Sequence, residues 1–199
     1  MKALFPTREA LAAAAEKLGC DMAAIRAVSE VEAPYGAFLS TGEPTMLFER
    51  HLFNRYTGGE HVNATAPDVP IVCAVIASPL RGGYGPLWAQ PRRLAAAAKL
   101  DRDAALRATS WGCWQILGAN YRQAGHRFLQ SFVNAMYESV DAQLDAFVSF
   151  IGADARLVKA LAGADWCTFA LGYNGSAQIE SNYADRIALA YHRACEGGP

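Results

Sequence analysis

"AIRAVSEVEAPYGAF", residues 24–38, places two glutamates one residue apart just before a Pro-Tyr-Gly break. If the part before Pro34 is helical, each residue turns by about 100°, so Glu30 and Glu32 lie roughly 200° apart and cannot act as a carboxylate pair. With Ile25 as the reference direction, Val28 falls about 60° to one side and Glu32 about 20° to that same side, within the apolar stripe. Glu30 points to the wet face. A carboxyl on a buried stripe calls for an explanation, whereas one on a solvated face does not.

The neighbouring sequence supports that helix. In "PTREALAAAAEKLG" Thr7 is the expected N-cap of a first helix and Gly19 its stop. Asp21 starts the second helix and Pro34 ends it. Residues 35–70 are rich in Gly, Pro and Thr, with a short extended element expected near residues 45–49. "PIVCAVIASPL", residues 70–80, is β-branched and apolar, and reads as a strand or a buried segment. "RGGYGPLWAQP", residues 81–91, is a turn-rich connector. Helical patterns dominate from there: "PRRLAAAAKL", "DRDAALRAT", "ANYRQAG", "FLQSFVNAMYES", "SVDAQLDAFVSFIGA", "DARLVKALAG", "DWCTFALGYNG" and "NYADRIALAYHRAC". Asp101, Asp154 and Asp165 are their expected N-caps. The expected architecture is mainly α with a small, loop-rich extended region in the first half, about eight to ten helices in one domain spanning residues 1–199.

Composition narrows the function. The chain has 199 residues, 52 % hydrophobic and 19 % charged, with a formal net charge of −1. That is globular composition without the basic footprint of a nucleic-acid or anionic-membrane partner. Cys20, Cys73, Cys113, Cys167 and Cys195 form no C-x-x-C, which argues against zinc and redox motifs and for buried free thiols. The N-terminus has no apolar stretch of secretory type, and no run approaches a membrane span. No Gly-x-Gly-x-x-Gly, P-loop or His-Glu metal spacing occurs, so neither cofactor nor metal is expected.

The helix ending in Glu32 is followed by "SWGCWQILG", residues 110–118, and "FALGYNGSA", residues 169–177. Glu32 with Ala33, Gly112 with Gln115 and Ile116, and Gly172-Tyr173-Asn174 resemble the three landmarks of the lysozyme-like superfamily, which includes goose-type lysozymes and lytic transglycosylases. "AVSEVEAPYGAFLSTGEPTMLFERHLFNRYT", "LDRDAALRATSWGCWQILGANYRQAGH", "FVNAMYESVDAQLDAFVSFI" and "DWCTFALGYNGS" make the chain still more similar to phage and prophage N-acetylmuramidases, the endolysin family. That family usually reads Val-Glu-Ser-x-Gly where this chain reads Val31-Glu32-Ala33-Pro34-Tyr35-Gly36.

The resemblance implies a lysozyme-like (α+β) fold. It also implies a peptidoglycan hydrolase cleaving the β-1,4 bond between N-acetylmuramic acid and N-acetylglucosamine, with Glu32 as general acid. Two alternatives stay open: a lytic transglycosylase giving 1,6-anhydro ends, and a non-catalytic peptidoglycan-binding or structural phage protein. Family precedent implies a monomer made in the host cytoplasm, acting in the periplasm once a holin opens the inner membrane, with no nucleic-acid partner and no stable membrane insertion.

The residues themselves suit this chemistry. Protonating a glycosidic oxygen near neutrality needs a carboxyl raised above its usual pKa. Burial and the negative end of the helix dipole both act on Glu32 in that direction. Glu49 is the candidate second carboxylate, or else part of a structural ion-pair cluster under the cleft floor. His51 shares its face if the segment is a strand. Tyr35, His51, Ser110, Trp111, Gln115, Tyr173 and Asn174 are candidate substrate-binding residues, although Trp111 and Tyr173 also suit a core. Asp101 and Asp103 read as helix-start residues. His126 and His192 read as surface or capping residues. Arg92, Arg93 and Arg107 read as surface cations.

Overall fold

Thr7 accepts a hydrogen bond from the Ala10 amide (3.1 Å) and starts α1 (Arg8–Leu18), which Gly19 closes in the left-handed conformation at φ 64°. In this computed structural model, residues 2–175 and 182–196 are described. Ser176 and Ala177 of the third landmark lie outside the described residues. Helix α2 (Met22–Glu32) buries Ala24, Ile25, Ala27 and Val28 and stops at Ala33, whose amide reaches Ser29 O at 2.9 Å. Pro34 follows and has no amide hydrogen to continue the ladder. Asp21 precedes α2 as expected, but its carboxylate accepts from the Tyr191 hydroxyl (2.9 Å) and caps no amide.

The extended region is a small sheet. Strand β1 (Met46–Phe48) pairs antiparallel with β2 (Thr109–Trp111), which pairs antiparallel with β3 (Ile116–Leu117). Between β1 and β2 run α3 (Arg50–Tyr56), the short α4 (Ile71–Ala74), α5 (Gln90–Leu100) and α6 (Arg102–Arg107). After the sheet come α7 (Leu129–Glu138), α8 (Val140–Gly152), α9 (Ala155–Ala162), α10 (Trp166–Asn174) and α11 (Tyr183–Glu196). This makes eleven α-helices among the described residues, more than the sequence suggested. The carboxylates of Asp101, Asp154 and Asp165 each accept an amide at the start of α6, α9 and α10.

Alternation along the sheet sorts its side chains. The register stacks Met46, Trp111 and Ile116 on one face with Phe48 and Thr109, all buried, and Leu47, Ser110 and Leu117 on the other. The buried face joins a core that runs from Leu11 through Ile25, Phe53 and Phe147 to Ile187. Each large apolar side chain fully buried there contributes about 1.5–3 kcal/mol. Helix α11 lies antiparallel along α2: Tyr183 meets Glu32 at one end, and Tyr191 meets Asp21 at the other.

Several expectations need correction. Residues 70–80 form no strand and are buried only in part. They begin with the single helical turn of α4, whose Ile71 and Val72 are 90 % and 72 % exposed while Cys73, Ile76 and Ala77 face the core. "ANYRQAG" forms a three-residue 3-10 turn, Gly118–Asn120, followed by further turns in place of a helix. Among the free thiols Cys73 and Cys113 are buried, but Cys167 and Cys195 are exposed. Arg93 is no surface cation. It is fully buried, and its guanidinium donates to Phe48 O, Tyr84 O, Val75 O and Gln90 Oε1 at 3.1–3.3 Å.

Candidate active site

Glu32 ends α2 at one side of a cleft of about 460 Å³. The helical wall supplies Glu32, Tyr173, Asn174 and Phe150, and the sheet wall supplies Leu47, Glu49, His51, Ser110, Gln115 and Arg81. The helix phase explains the choice of glutamate. Glu30, on the opposite side of α2, is exposed and paired with Arg193. A larger groove of about 770 Å³ opens on that other side, between the N-terminal segment, α2 and the end of α11. Its lining is mainly apolar and it includes Glu30 but not Glu32, so it offers no glycosidase constellation.

The Glu32 carboxyl is mostly enclosed, and its Oε1 accepts a hydrogen bond from the Tyr183 hydroxyl. Burial raises its pKa from the ordinary 4.5 to about 7, against the opposing pull of the Tyr183 bond and the Arg186 charge. Arg186 is itself placed by a bond from its guanidinium to Val31 O at 3.1 Å. The residue after Glu32 is Ala33, fully buried, so the donor to the acid comes from α11 and not from a neighbouring serine. The sequence reading missed Tyr183 and Arg186. Their only sequence signal is an i, i+3 pair on an amphipathic helix, 151 residues from Glu32.

Glu49 occupies the residue between β1 and α3. A buried polar bracket fixes it from behind. The Phe48 amide donates to Gln90 Oε1 (3.2 Å), and Phe48 O accepts from Arg93 (3.2 Å), so both backbone groups of the preceding residue are held by the first turn of α5. Burial raises the pKa of Glu49, while the Tyr84 hydrogen bond and the charges of Arg81 and Arg93 pull it back. His51 lies in the first turn of α3, not on a shared strand face, because β1 stops at Phe48. The two still meet: His51 Nδ1 is 3.2 Å from Glu49 Oε2, without the alignment of a hydrogen bond.

The landmark residues separate along the hairpin. Ser110 faces the cleft because Trp111, its neighbour in β2, faces the core. Trp111 is 1 % exposed and its indole N–H donates to Leu106 O at 3.2 Å, so it is a core aromatic and not a sugar platform. Tyr35 is 74 % exposed and does not line the cleft. Gln115 closes the hairpin turn at φ 48°, and its amide donates to Gly112 O at 2.8 Å. Gly112 sits at φ 74°, and a Cβ there would come 2.7 Å from the buried Gln143 Oε1. That same oxygen accepts the Cys113 amide at 2.7 Å, which pins the turn to α8. Tyr173 reaches the cleft with one edge while its hydroxyl donates to Trp114 O at 2.6 Å and its ring stacks on Phe169. Asn174, the last residue of α10, is exposed at the cleft margin.

The arrangement offers a proton donor poised near neutrality, a second carboxyl on the other wall, and amide, hydroxyl and aromatic groups between them. The family model described as N-acetylmuramidase matches residues 21–195. The crystal structure of the Burkholderia AP3 phage endolysin is similar over 98 % of this chain and 73 % of that one, with a TM-score of 0.80 and 36 % identity. No curated protein matches.

Proposed function

The chain belongs to the N-acetylmuramidase family, whose enzymes hydrolyse peptidoglycan, and from that premise we propose that it cleaves the β-1,4 bond between N-acetylmuramic acid and N-acetylglucosamine with Glu32 as general acid. One observation carries this reading: the Glu32 carboxyl ends α2 inside the cleft, held by Tyr183 and enclosed enough that burial raises its pKa to about 7. The proton of Glu32 passes to the glycosidic oxygen as the C1–O bond breaks, which relieves an otherwise poor leaving group. Tyr183 occupies Oε1, so the proton sits on Oε2, the oxygen left for the substrate.

Glu49 then acts from the sheet wall. Its carboxylate stabilises the positive charge developing at C1 and takes the proton of the water that adds there. In the transglycosylase alternative the muramic 6-hydroxyl attacks C1 in place of water. Gln115, Ser110 and Asn174 bind the N-acetyl and hydroxyl groups of the strand, and the edge of Tyr173 packs against a sugar ring.

The test compares wild type with Glu32→Gln on outer-membrane-stripped Gram-negative cells, followed by mass spectrometry of the products. Reducing ends from the wild type and no clearing by the variant are expected. Anhydro ends would move the assignment to a lytic transglycosylase, and sacculus binding without release to a wall-binding protein. We further propose an endolysin's delivery: the chain stays in the cytoplasm until a holin gives it access to the wall. Among the described residues no helix is long and apolar enough to cross a membrane. Expression without lysis, and lysis on holin co-expression, tests this.

A further inference from the structure

The sheet wall of the cleft carries more positive charge than the proposed acid chemistry uses. Arg81, Arg55 and Arg50 lie close enough to His51 to depress its pKa together with burial, and Arg93 and Arg81 act on Glu49. Among the described residues no carboxylate oxygen lies within 4.0 Å of any of these four guanidinium groups.

Three of the four are occupied otherwise. Arg93 is buried on backbone carbonyls. Arg55 lies over the Tyr56 ring, 5.5 Å from its centre. Arg50 donates to Leu80 O and Arg81 O at 3.1 Å, and so folds the loop around its own guanidinium. Gly83 completes that wrap at φ +66°, where a Cβ would sit 2.7 Å from Arg50 Cζ. The clamped loop holds out Arg81, exposed, as the one arginine or lysine among the described residues lining the cleft.

We propose that Arg81 is an anion subsite that takes a carboxylate borne by the muramic acid unit, and so selects peptidoglycan over neutral amino-sugar polymers. The inference rests on the reading of this cleft as a peptidoglycan groove. N-acetylmuramic acid differs from N-acetylglucosamine by its lactyl ether, which ends in a carboxyl or in the peptide built on it. A guanidinium is suited to a carboxylate because its planar fork matches the two oxygens.

The test measures binding of the Glu32→Gln chain to native sacculi, to sacculi whose carboxyls have been amidated, and to strands stripped of peptide by an amidase. At low salt, native sacculi should bind about tenfold more tightly than amidated ones, and adding Arg81→Ala should abolish that difference. Where the peptide is attached the lactyl carboxyl is an amide, so an Arg81-dependent preference for native over amidated sacculi assigns a peptide carboxylate, and Arg81 dependence on stripped strands assigns the lactyl carboxylate freed there. Equal binding to native and amidated sacculi with no Arg81 dependence on stripped strands overturns the subsite, as does an Arg81→Ala loss of the same size on all three. The hydrolase reading is judged separately, by release of reducing ends from native sacculi by the wild type. If that fails while charge-dependent binding through Arg81 persists, the subsite stands and the hydrolase reading falls.

Discussion

The two walls of the cleft each present a glutamate that burial has pushed upward, yet the company each keeps is different. Glu32 has one hydroxyl donor and one nearby cation, both on α11. Glu49 faces a hydroxyl, a histidine and two guanidinium groups. Desolvation with little compensation keeps a proton on Glu32, whereas the arginines favour the anion of Glu49. The comparison teaches that neighbours of different charge can give one residue type two different acidities in one cleft, which is what the proposed division into acid and carboxylate needs.

The hardest test of that contrast is Glu32→Gln, which keeps shape but removes the transferable proton. Turbidity assays should show activity falling about 10²–10⁴-fold with the circular dichroism unchanged. Substantial lysis by the variant would remove Glu32 from the acid role.

The same variant checks the linkage. A folded pKa above the unfolded one stabilises the native state fully below pH 4.5, and that stability is lost as pH rises through about 7. At about 1.4 kcal/mol per pKa unit, wild type should lose about 3 kcal/mol relative to Glu32→Gln between pH 4.5 and 8, read from denaturant unfolding. Parallel stability curves for the two proteins would contradict the raised pKa.

On the sheet wall, Glu49→Gln should lower kcat about 10²-fold with little change in KM, measured on solubilised glycan strands. A loss confined to melting temperature, with kcat per folded molecule intact, would make Glu49 a structural counter-ion for Arg93.

Tyr183→Phe keeps the ring in place and removes the O–H, making it a positioning variant. The activity should fall about tenfold at pH 6, given that a hydrogen bond to a charged group is worth about 1.5–3 kcal/mol. Because the lost bond had lowered the Glu32 pKa, the alkaline limb of the kcat profile should move to higher pH. A limb that stays near pH 7 would reduce Tyr183 to packing. The smallest effect belongs to Glu30→Gln, which breaks only the exposed pair with Arg193 and should cost under about 1 kcal/mol of stability, with full activity.

Much of this contrast was legible in residues 24–38. Helical phase is a local property, so Glu30 and Glu32 sort to opposite sides from their spacing alone. The helix starts at Thr7, Asp101, Asp154 and Asp165 were legible for the same reason, since a cap is satisfied within three residues. The exposed Ile71 and Val72 were not, because apolar composition does not say which side of a single turn meets a core.

What the sequence by itself determined is therefore the helix that carries Glu32, the short extended element near residues 45–49, the glutamate that turns inward, and the family pattern that joins three distant landmarks. Tertiary structure alone decided the partners. Tyr183 reaches Glu32 across 151 residues, and Arg93 is drawn inside by carbonyls from three separate segments. Strand register sends Trp111 into the core and Ser110 to the cleft. Local periodicity fixes directions within one element, but burial and charge at a site are sums over elements that only the packed chain brings together.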